Sequence, residues 1–163
     1  MKECDMWCLD KLKREYAVLQ KKYKLQDFVK LNEDFDIERI AEKETDFVLR
    51  EIRKAIADKI IAYIRFLEIL MNPSNGPIFF FMIAKGLTAN DKSTIDSLYK
   101  KLAKYEIEVV SLDNKYSEKA EAEFINKIFK EWQLTKDEIE DVMKMLKESW
   151  EKQGEKSDKD YFG

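Results

Sequence analysis

Four glycines and two prolines in 163 residues leave this chain few places to end a helix or reverse a strand. Gly and Pro are the strongest local breakers, and average usage would supply several times as many. Long helices with few connections follow. The hydrophobic spacing agrees. Leu9, Leu12, Tyr16, Leu19 and Tyr23 recur at alternating steps of three and four, one buried stripe of a first helix over about 4–24. Residues 25–41 are less periodic and predict one or two short helical turns. A long helix is expected near 43–71, with Val48, Ile52, Ala55, Ile56 and Ile60 inward and Arg50, Arg53, Lys54 and Asp58 outward. No period-2 alternation occurs. The fold class read from this pattern is all-α, a single-domain helical bundle of about five to six helices over 1–154, with a polar, flexible tail at 155–163.

Both prolines fall in one connector, Asn72 to Pro77. Pro73 ends the long helix and Pro77 suits the first position of a short apolar one near 77–85. Gly86 is expected to close that helix in a left-handed conformation, and Thr88 with Asp91 to open the next as a capping box. Ile95, Leu98, Leu102, Tyr105, Val109 and Leu112 form the stripe of that helix. Ser117 predicts a further N-cap. Thr135 with Glu138 predicts yet another, with Leu134 stapled onto Ile139, so the C-terminal third reads as two helices.

The apolar run from Ile78 to Ile83 is too short to span a membrane, which takes about 20 apolar residues. It reads as core, with any surplus available as an interface.

Histidine is absent. That excludes Ser-His-Asp and Cys-His catalysis, His zinc sites and Glu-x-x-His di-iron centres. No phosphate-cradling glycine loop can be written either. An enzyme is therefore disfavoured, and no cofactor is implied. Cys4 and Cys8, four apart, could share a helix face as soft-metal ligands, although packing along the stripe of Leu12 is the favoured reading. Glu38, Glu42 and Asp46 are spaced by four, and Asp137, Glu138 and Asp141 cluster. These carboxylates raise a metal-dependent hydrolase as a further alternative, with Arg50 and Arg53 close by in sequence.

The net charge of −3 is spread evenly along the chain. Two local basic segments stand out, Lys11, Lys13, Arg14, Lys21, Lys22 and Lys24, then Arg50, Arg53 and Lys54. They make nucleic-acid binding the alternative function. The leading expectation is a non-catalytic interaction or assembly protein, self-associating as a dimer through Phe79, Phe80, Phe81, Ile95, Leu98 and Leu102. The first residues show no apolar leader, so a cytoplasmic location is expected. The Lys/Glu enrichment occurs in thermophile proteins and fits a prokaryotic source.

Overall fold

The computed structural model describes the backbone of residues 3–43 and 45–160, and the side chains of 8–43, 45–74 and 76–152. The described residues are all-α and include no strand. Six α-helices follow in order: α1 (Glu3–Tyr23), α2 (Phe28–Phe35), α3 (Val48–Met71), α4 (Ile78–Gly86), α5 (Ala89–Asn114) and α6 (Glu118–Asp160). Short 3-10 segments, Ile37–Glu42 and Pro73–Asn75, lie before α3 and α4. No helix among the described residues is long and apolar enough to cross a membrane.

The Cα packing divides into two compact units, Met1–Ile60 with Glu106–Trp132, and Ile61–Tyr105 with Gln133–Gly163. In the first unit, Asp27 caps α2 by accepting the Val29 N–H at 2.9 Å. Asp36 then ends α2 in the left-handed conformation, a geometry that Asp tolerates through its short polar side chain. Tyr16 is buried and donates its hydroxyl to the Gln26 carbonyl at 2.6 Å, which fixes the chain reversal after α1. Burial pushes its phenol well above the usual tyrosine range, and the charge of Asp27 adds to that. Leu12, Leu31, Phe35, Ile37, Ile52, Ile56, Ile125, Ile128 and Trp132 fill this core. Each contributes about 1.5–3 kcal/mol by leaving water.

In the second unit the core is Ile64, Leu67, Leu70, Ile83, Leu87, Ile95, Leu98, Leu102, Tyr105, Ile139, Val142 and Leu146. Thr88 and Asp91 form the expected capping box: the Thr88 N–H donates to the Asp91 carboxylate at 2.8 Å, and the Asp91 N–H to the Thr88 hydroxyl at 3.2 Å. The hydrogen bonds from Thr88 hold the Asp91 carboxyl below its usual range, aided by Lys152. A folded pKa below the unfolded value stabilises at neutral pH and is lost as pH falls through the carboxylate range. Thr88→Ala is therefore expected to cost about 1 kcal/mol at pH 7. The destabilisation caused by Asp91→Asn should shrink as pH drops below the unfolded value of 3.8. Thermal melts of both variants at pH 7 and pH 3 check this.

Three expectations from the sequence are corrected. The long helix starts at Val48, later than Lys43, because Thr45 accepts the Phe47 N–H at 3.0 Å and Phe47 accepts the first helical bond from Glu51. Gly86 has no left-handed conformation. It is the last helical residue, and Leu87 leaves the helix in extended geometry. The break at Thr135 is absent: α6 is one helix of 43 residues, Thr135 is fully buried in it, and Leu134 is exposed rather than stapled to Ile139. The backbone of α6 is described through Asp160, and 161–163 lie outside the described residues.

Candidate interaction surface

The connector between α3 and α5 is built to hold α4 tightly at its start and to leave its flank open. The Gly76 N–H donates to the Pro73 carbonyl at 3.1 Å and the Phe80 N–H to Pro77 at 2.9 Å. A Cβ on Gly76 would stand 2.6 Å from Cγ2 of Ile69, so only glycine fits there without moving a β-branched side chain of α3. Within the same unit, Phe80 packs edge-on against Phe66 with centroids 5.7 Å apart, Phe79 lies 4.9 Å from the ring of Trp150, and the Ser149 hydroxyl reaches the Ile83 carbonyl at 3.5 Å. Ile83 and Ala84 are the buried residues of α4.

Apart from the half-buried Phe80, the rest of α4 faces water. Ile78 is 78% exposed, and Phe79, Phe81 and Met82 are each between 42% and 46% exposed. Met71 and Trp150 are exposed as well. Reading Ile78–Ile83 as core is therefore overturned for Ile78, Phe79, Phe81 and Met82, while Ile83 is buried and Phe80 is half-buried against Phe66. One short helix in contact with a core on one side cannot bury apolar residues placed around its whole circumference. A contiguous exposed apolar patch of this kind marks interaction sites in folded proteins. Lys85 stands over the Phe81 ring at 4.6 Å, placing its charge at the border of the patch.

The other interface candidates, Ile95, Leu98 and Leu102, are fully buried in the chain itself, so they are not available to a partner. Their stripe is satisfied by the core of its own unit.

The basic candidates are largely committed. Arg53, expected outward, is 1% exposed. It donates through Nε to Glu121 at 2.8 Å and through an Nη to Asp113 at 2.6 Å. Burial would lower its pKa, but those two carboxylates outweigh the loss of water and raise it, so it stays charged. Arg50 is half-buried over the Tyr116 ring at 5.1 Å, with Nε 3.9 Å from the fully buried Glu121. Lys54 pairs with Glu51 at 2.7 Å, Lys22 with Glu118 at 2.8 Å, and Lys11 approaches Glu15 at 4.0 Å. Glu118 also accepts the Tyr23 hydroxyl at 2.6 Å, and the bonds from Lys22 and Tyr23 hold its carboxyl below the usual range. The Arg14 Nε–H turns back to the Asp10 carbonyl at 3.2 Å, and Lys13 lies 5.8 Å from the Phe28 ring. Lys21 and Lys24 flank the end of α1, Lys24 in the left-handed conformation.

The metal candidates do not converge. Among the described residues, no group of three His, Cys, Asp or Glu side chains could hold an ion. Glu38 and Glu42 lie on the 3-10 segment, where three residues make a turn, so a spacing of four no longer places them on one face. Cys8 is half-buried beside a cleft of about 80 Å³ shared with Lys11, Glu15 and Lys43. The side chain of Cys4 lies outside the described residues.

The sequence signal for the buried Arg53–Glu121 pair is weak, because its partners are distant in the chain. The signal for α4 was present in the run of apolar residues itself. No protein family, curated protein or solved structure matches this chain.

Proposed function

We propose that the chain is a non-catalytic interaction protein whose working surface is the exposed flank of α4. One observation carries the reading: a nine-residue helix, anchored by Ile83 and Ala84, presents Ile78, Phe79, Phe81 and Met82 to solvent beside the exposed Trp150, which lies against Phe79. Leaving large apolar groups in water is unfavourable by about 25 cal/mol for each Å². A partner that covers them recovers that free energy. Self-association, the form expected from the sequence, keeps only the α4 part of its support, since Ile95, Leu98 and Leu102 are buried.

Nucleic-acid binding is less well supported, because Arg53 is inaccessible and Lys11, Lys22 and Lys54 have acidic neighbours in the chain. A carboxylate–metal site has no converging ligands among the described residues.

A photo-crosslinking side chain placed at Ile78, compared with one at the equally open Val18 of α1, tests the reading in the cells that make the protein. Adducts at 78 and none at 18 are expected. Equal labelling at the two positions, or none at 78, would remove α4 as the working surface.

A further inference from the structure

We propose that α4 docks onto an anionic lipid surface, lying in the headgroup region with Ile78, Phe79, Phe81 and Met82 turned into the acyl boundary; this rests on α4 being the working surface. Four observations favour a lipid surface over a second copy of the chain.

The first is shape. Ile78 is the most exposed apolar side chain of the patch, a projecting knob. A rigid, self-complementary face would need a matching hole, whereas fluid acyl chains need none.

The second is charge. Between Glu68 and Asp91 the only charged side chain is Lys85. Its ammonium lies over Phe81 at the border of the apolar flank, the arrangement in which a lysine keeps its stem on apolar surface and its charge among headgroups. A helix and connector that carry a lysine and no acid complement an anionic leaflet.

The third is the ring at the rim. Trp150 is partly exposed and packs on Phe79, and an indole with one apolar and one polar edge suits the boundary between headgroup and acyl layers.

The fourth is the backbone. The donors of Gly76 and Phe80 are bonded within the connector, and Pro73 and Pro77 have no N–H to satisfy. That lowers the penalty of moving this segment toward a medium with few hydrogen-bond partners. With no spanning helix among the described residues, the contact is peripheral.

Co-sedimentation of the full chain with phosphatidylcholine vesicles, and with vesicles in which a quarter of the lipid is phosphatidylglycerol, tests the proposal. The chain should pellet with the anionic vesicles and much less with the neutral ones. Ile78→Asp combined with Phe81→Asp should lower binding about 100-fold, and Lys85→Glu about tenfold. Ile78→Asp alone, at a side chain already mostly in water, should keep the wild-type melting temperature while losing most binding. No pelleting at millimolar lipid, equal binding to both vesicle types, or variants that bind like wild type would overturn it. A dimer that Ile78→Asp dissociates, with no vesicle binding, would also overturn it while leaving α4 as the working surface. Absence of any adduct at position 78 would instead remove the underlying reading.

Discussion

Glu121→Ala is expected to lower the melting temperature by roughly 10 °C. Glu121 and Arg53 are both inside the first unit, and the substitution would leave a guanidinium buried with one of its two acidic partners gone. Breaking a buried ion pair by removing one member costs about 3–5 kcal/mol, and in a chain of this length each kcal/mol moves the melting temperature by about 2–4 °C. Asp113 would remain at 2.6 Å, but it is half-exposed and holds only one edge of the guanidinium. The double substitution Arg53→Met with Glu121→Leu separates the pair's own worth from the damage of orphaning a charge. Replacing both members by apolar groups of similar volume is often neutral, so the double variant should melt well above Glu121→Ala. Thermal unfolding followed by circular dichroism decides it. A Glu121→Ala melt within 2 °C of wild type would mean that solvent reaches Arg53 and that the cluster does not bear on stability.

Lys136→Pro carries an effect of similar size and addresses a different question. If α6 restarted at Thr135, position 136 would be the first helical residue, where proline is welcome because its missing N–H has no intrahelical partner anyway. In the continuous helix observed, position 136 is interior. Proline there removes the bond to the carbonyl of Trp132 and its ring collides with that carbonyl, costing about 3 kcal/mol or more. The variant should lose roughly 10 °C in melting temperature together with helical signal. Wild-type stability in Lys136→Pro would restore the two-helix reading.

The contrast between Thr88 and Thr135 shows what the sequence makes legible. Both are followed three residues later by an acid, yet Thr88 caps a helix and Thr135 sits inside one. Capping chemistry is used only where something else stops the preceding helix. Before Thr88, α4 ends at Gly86 and Leu87 is extended; before Thr135 there is neither a glycine nor an extended residue. The deciding signal was the stripe. Ile125, Ile128, Trp132, Thr135, Ile139, Val142, Leu146 and Ser149 are all buried and alternate three and four apart without a skip. Those steps are what one unbroken helix face requires.

The helices and most of their inward residues were legible because they depend on local spacing. The candidate site was half legible. Residue type singled out Phe79 and Phe81, but whether an apolar run is covered depends on how many neighbours the fold brings to it, which no local pattern encodes. Arg53 failed for the opposite reason. A charge on a helix reads as solvent-facing, and only a partner 68 positions away makes its burial tolerable.

That separation in the chain also has a kinetic meaning. Closing a loop of such length costs conformational entropy before any contact returns it. Dehydrating two charges is unfavourable until their hydrogen bonds and apolar surroundings are complete. On these grounds the Arg53–Glu121 contact is expected to form late as the chain folds. Interactions absent from the folding transition state leave the folding rate almost unchanged and slow the reverse step. The pair is then expected to act as a latch on unfolding: Glu121→Ala should speed opening of the first unit and leave its folding rate nearly unchanged, which stopped-flow unfolding and refolding would check.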